Sequence, residues 1–150
     1  MTWHADLSEY RELPESVPPG YVARNVGWLA PGHHFPTGDA PKDFIDELGA
    51  LCAGYRYAQT RGFHDCTFDH GNDDLDHSLY GLTVTIDGEK VALGSAEIRV
   101  VAEDGTVLIA PNLILHYVTY HRYLPPREFI EAVLARRPAP PERNPWASAG

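Results

Sequence analysis

The sequence is poor in the groups that small special-purpose scaffolds depend on. It has only two cysteines, Cys52 and Cys66, too few for the disulfide framework of a small secreted domain. Lysine occurs twice, as Lys42 and Lys90, against ten arginines. No apolar run reaches the roughly 18 residues of a membrane-spanning helix, so no membrane association is expected. The opening Met1-Thr2-Trp3-His4-Ala5-Asp6 has neither the basic region nor the apolar stretch of a secretory signal. No glycine-rich loop opens a helix, no phosphate-binding lysine motif follows one, and no nucleophile elbow is present. Positive charge is short as well. Asp and Glu number 21 and Lys and Arg 12, a net charge of −9. Nucleic-acid affinity rests on cationic contacts to phosphate, so no nucleic-acid partner is expected.

What remains is an ordinary globular composition. The 150 residues are 43% hydrophobic and 22% charged, which suits one domain that buries a core without help from a metal or a disulfide. The arginine bias, with 13 Pro and 13 Gly, is the usage of a GC-rich bacterial genome. The setting this implies is a cytoplasm where thiols stay reduced.

The chain divides into three parts. Residues 1–20 read as an N-terminal arm punctuated by Pro14, Pro18, Pro19 and Gly20, with Trp3, Leu7 and Tyr10 available to tack it onto the body. Residues 21–137 read as the domain, and the proline-rich residues 138–150 as a flexible tail. Within the domain, Val22, Val26 and Trp28 mark a strand over 21–29. Phe44, Ile45, Leu48, Leu51, Cys52 and Tyr55 form one apolar stripe, which predicts a helix over 40–56 with Asp39 as its cap. Residues 57–78 have no clean period and carry five Asp between 65 and 76. Alternating apolar residues then predict a β meander over 80–110, with a hairpin turn at Asp87-Gly88. Helices follow over 111–122, started by Pro111, and over 126–136. This order predicts a single-domain α+β fold, a mainly antiparallel meander packed with about three helices.

The residue types best suited to chemistry fall in two separated segments. One holds Arg61, His64 and Cys66, and the other His116, His121 and Tyr123. Thiolate and imidazole are zinc ligands, and a candidate zinc set is His64, Cys66 and His121. The spacing lacks the paired CxxC or HxxxH of a strong signature. His116 and His121, five residues apart, lie about 140° apart around an ideal helix, which predicts that only one reaches a common centre. The bland reading is a buried Cys66 and histidines bonded to backbone. Cys66 with a histidine as a nucleophile is disfavoured by the neighbouring Asp residues, which raise a thiol pKa. The acidic stretch His70–Asp76 fails the ligand pattern of a calcium loop and reads as a solvated segment. Glu97 and Arg99 share the strand face opposite Ile98, placed for a surface ion pair or a ligand clamp.

Gly94-Ser95-Ala96-Glu97-Ile98-Arg99-Val100, then Ala110-Pro111, Leu113-Ile114, His116-Tyr117-Val118, His121, Tyr123, Pro125-Pro126 and Phe129, form one pattern. Over residues 26–134 the chain resembles a group of short uncharacterised bacterial proteins, largely actinobacterial. They share GxAEIRV … AP-x-LI-x-HYV-x-x-H-x-Y-x-PP-x-x-F. Gly27-Trp28-Leu29 and His64-x-Cys66 are similar too. The resemblance implies a second cysteine three residues after Cys66, where this chain has Asp69. It implies a coherent fold and candidate positions, and no activity.

Two readings of function follow, and whether the protein is an enzyme stays open between them. One is a non-enzymatic interaction domain whose acidic surface meets a basic protein partner, in the manner of an immunity protein neutralising a cationic toxin. The other is a small zinc-binding protein or metal-dependent enzyme built on His64, Cys66 and a histidine of the 111–122 helix.

Overall fold

The structure is a computed structural model. It describes residues 3–11, 17, 19–30, 32–54, 76–78, 81–86, 88–93, 97–137 and 139.

The stripe in the first half of the chain becomes helix α1 (Lys42–Gly54), after a short strand β1 (Ala23–Asn25). Phe44, Leu48 and Cys52, each one turn apart, are fully buried, with Ile45 and Leu51 packed beside them. Asp39 stands ahead of the cap position, and its carboxylate accepts from Arg122 at 2.9 Å.

Four strands and a further short one make up the β region. Strands β2 (Asp76–Ser78), β3 (Gly81–Ile86) and β4 (Glu89–Ala92) form one antiparallel sheet. The expected two-residue hairpin joins β3 to β4, with Ile86 opposite Glu89 and Gly88 at φ +83°. Strands β5 (Glu97–Val101) and β6 (Val107–Pro111) pair antiparallel, and β1 adds to β6 in parallel. The meander is therefore two three-stranded sheets, ordered β2-β3-β4 and β1-β6-β5. Three of the four strand pairings are antiparallel, and the fold is the expected single α+β domain.

Pro111 does not start a helix. It ends β6, opposite Glu97, and helix α2 (Ile114–Tyr120) begins after a turn at Asn112-Leu113. The pairing with β1 stops at Ile109, so the missing N–H of Pro111 breaks no ladder bond on that side. Pro126 then caps helix α3 (Arg127–Leu134), which buries Phe129, Ala132 and Val133.

The β1-β6-β5 sheet is covered on both faces. Ile98, Val100, Leu108 and Ala110 face the main core, where Phe44 of α1 meets Phe129 of α3 edge-on. Val107 and Ile109 face a second cluster with Trp28, Tyr10 and Ala139. Residues 3–11 are bonded along β1. The N–H groups of Leu7 and Tyr10 donate to the carbonyls of Asn25 and Ala23, and that of Asn25 donates to Ser8. Among the described residues no helix is long and apolar enough to cross a membrane.

Candidate functional site

The helix half of the sequence-predicted site is assembled by the end of α2. Residues Ile114 to Val118 are buried, which sets His116 inside the protein. His121 caps the helix with its backbone already out of helical geometry, at φ −100° and ψ 4°. Arg122 then takes φ +58° and reverses the chain. The N–H groups of His121 and Tyr123 both donate to the carbonyl of Tyr117, at 3.1 and 3.0 Å. Loop residues 36–38 close the turn from the far side. Leu124 N–H donates to Pro36 and Gly38 N–H to Arg122, both at 3.0 Å.

This turn brings together two groups that helical spacing alone keeps apart. The rings of His116 and His121 meet edge-on with centroids 4.9 Å apart. Tyr120 completes a triangle, its ring stacked on His116 at 5.2 Å and tilted against His121 at 5.0 Å. The expectation that the two histidines lie on different sides is thus corrected. The rings swing toward Tyr120 from either side, and His121 has left the helix. The assignment of the more inward position to His121 is corrected too. His116 is 2% exposed, whereas His121 is half-buried and Tyr120 is exposed. All three take part in further interactions.

Tyr123 is turned to another task. Its hydroxyl donates to Asp6 Oδ2 at 2.8 Å, and Gly27 N–H donates to Asp6 Oδ1 at 3.0 Å. One carboxylate from the N-terminal segment thereby ties the end of α2 to the strand that follows it in space. Burial, reinforced by the charge of Asp6 and by this bond, holds the phenol far above its ordinary range. Tyr123 is a structural tie and no proton donor at neutral pH.

Arg61, His64 and Cys66 lie outside the described residues. Among the described residues no group of three or more His, Cys, Asp or Glu is placed to hold a metal ion. Cys52 is buried, as its place on the α1 stripe requires, and its thiol donates to the carbonyl of Asn112 at 3.5 Å.

A second polar group, read from the sequence as a surface pair or a clamp, proves to be internal. Arg99 Nη2 donates to Glu97 Oε1 at 2.9 Å, with both side chains almost wholly buried. The Tyr10 hydroxyl donates to both Glu97 oxygens, at 3.0 and 3.1 Å, and the Arg99 guanidinium lies 5.6 Å from the Tyr10 ring centre. Strand alternation correctly puts Glu97 and Arg99 on one face. The cover over that face comes from Tyr10, 87 residues away in sequence from Glu97. Asp6 and Tyr10 are the positioning residues that the sequence pattern missed. The only signal for them was the aromatic and apolar content of a segment otherwise broken by proline.

The outer surface is acidic in patches. Asp43 and Asp46 are exposed on α1 and make no ion pair among the described residues. The adjoining cation, Arg136, is bonded to Glu47 of the same helix. Asp43, Asp46, Glu47, Leu134 and Arg136 line an open cavity of about 410 Å³ between α1 and α3.

These features define an α+β domain with a doubly covered mixed sheet. A family model matches residues 2–134. The chain belongs to that family, described as a domain of unknown function (DUF7919), which agrees with a resemblance to uncharacterised proteins. No curated protein and no solved structure matches the chain.

Proposed function

We propose that the protein is a non-enzymatic interaction domain that meets a basic protein partner through the acidic face of α1, as an immunity protein meets a cationic toxin. The observation that carries this reading is the pair Asp43 and Asp46, exposed and without ion pairs among the described residues, beside the exposed Leu134. Carboxylates left free on a chain of net charge −9 raise the encounter rate with a cationic surface and reject anionic ones. An exposed leucine at the edge of the patch supplies apolar contact area. The setting this reading takes is the bacterial cytoplasm, with Cys52 reduced.

The test uses an oligo-arginine peptide as a cationic probe, titrated at low and at raised salt. Replacing Asp43 and Asp46 by Asn is expected to weaken binding on the order of tenfold at low salt, two exposed pairs at up to about 1 kcal/mol each. Replacing Glu103 and Glu128 by Gln removes the same charge elsewhere and is expected to change binding about twofold. Equal losses in the two variants would remove the special role of α1. Binding insensitive to salt would remove the electrostatic reading altogether.

A further inference from the structure

We infer that His116 and His121 chelate a divalent transition-metal ion at the end of α2, as a two-imidazole site whose other positions are taken by water or an external donor. The first ground is geometric. A ligating nitrogen lies 2.0–2.1 Å from zinc, which sets each ring centre about 3.2 Å from the ion. Two such rings at a coordination angle between about 90° and 109° have centres roughly 4.5–5.2 Å apart. The observed separation is 4.9 Å, so the rings need rotate only about their own side-chain bonds to share an ion. The second ground is the support each ring has. His116 is fixed by burial and by its stack on Tyr120, and His121 by the capped turn that Arg122 and loop 36–38 hold closed. A ligand pair pre-positioned in this way loses little freedom on binding. The third is access. Exposed Tyr120 and half-buried His121 form the rim over buried His116, so an ion reaches the pair from one side and keeps open positions there. Imidazole donors suit copper, nickel and zinc above calcium or magnesium. This inference is independent of the acidic face of α1.

The experiment uses full-length protein without an affinity tag and adds Cu²⁺, Ni²⁺ or Zn²⁺ alone, read by equilibrium dialysis and by calorimetry. One ion per chain is expected, with Cu²⁺ held more tightly than Zn²⁺. Binding is expected to fall as pH drops through the imidazole range near about 6.5, because only neutral imidazole ligates. His116→Gln and His121→Gln are each expected to lower affinity on the order of tenfold or more. His121 is half-buried, so its variant keeps the test valid where the buried His116 variant loses its fold. The electron-spin spectrum of bound Cu²⁺ is expected to show coupling to two nitrogens, and to one in His121→Gln. A metal-dependent rise in melting temperature is expected in wild type and not in the variants. Undiminished binding in His121→Gln overturns the inference, and so does an absence of binding at millimolar metal. Loss of the ion in a His64→Ala, Cys66→Ser variant overturns the sufficiency of the pair.

Discussion

Gly27 sits where the chain leaves β1, at φ +75°, and a Cβ there would lie 2.7 Å from Ile114 Cδ1 and 2.9 Å from Cγ1. Both the backbone conformation and the space exclude a side chain. Gly27→Ala is expected to lower stability by about 2–4 kcal/mol, from left-handed strain and overpacking together, read as a lower urea midpoint. The neighbouring tie gives a pH signature. Tyr123→Phe removes a hydrogen bond to a carboxylate and is expected to cost about 1.5–3 kcal/mol near neutral pH. Burial holds the folded phenol well above its ordinary 10.0. Above that value the unfolded chain loses a proton that the folded chain keeps. The tyrosine's contribution is therefore fully present below about pH 10 and declines as pH rises beyond it. Urea midpoints at about pH 8 and about pH 11 are expected to show wild type and Tyr123→Phe converging. A constant gap would place the hydroxyl in water. At this scale the sequence speaks clearly for Cys52, whose spacing from Leu48 and Phe44 puts it inside. It is silent on Asp6, whose partners Gly27 and Tyr123 share no pattern with it.

Strand β5 shows how an element can be right in period and wrong in environment. Ile98 and Val100 alternate with Glu97 and Arg99, the pattern of a strand with one wet face. The charged face is dry, because residues 3–11 and Trp28 lie across it. Breaking a buried ion pair leaves one charge uncompensated by its partner, so Glu97→Gln is expected to cost about 3–5 kcal/mol. Replacing both residues, as Glu97→Gln with Arg99→Met, is expected to cost less than the sum of the two single changes. A double-mutant cycle on chemical denaturation measures the coupling. Additive losses would mean that each side chain is held by other groups and that the pair itself contributes nothing. Helix α2 is shorter than its apolar residues suggest for a related reason. Ala110 and Pro111 are claimed by the ladder with β5, and tertiary pairing overrides the preference of proline for a first helical turn.

For the whole molecule, the N-terminal segment is the piece with the widest reach. It supplies Asp6 to Tyr123, Tyr10 to Glu97 and a row of backbone bonds to β1. Deleting residues 1–11 uncovers Trp28, Ile109 and the Glu97–Arg99 pair at once. It is expected to abolish the sharp cooperative melt and the near-ultraviolet circular dichroism of packed aromatics. A deletion that melts like wild type would show the segment to be a mere appendage. The match of the family model from residue 2 onward agrees with its being integral to the domain.

The sequence by itself determined the elements whose signal is local. Apolar spacing set α1 and α3, alternation and a turn glycine set the β3–β4 hairpin, and the switch between the two periods set the α+β class. These depend on residues within a turn or two of one another, and local sterics and burial decide them. Tertiary structure alone decided three things. It split the meander by pairing β1 with β6 in parallel across more than 80 residues. It covered the Glu97–Arg99 face with Tyr10. It brought His121 against His116 through a capped turn braced by loop 36–38. Each joins groups far apart along the chain or depends on a backbone reversal, and their meeting is a property of the folded packing that no local period encodes.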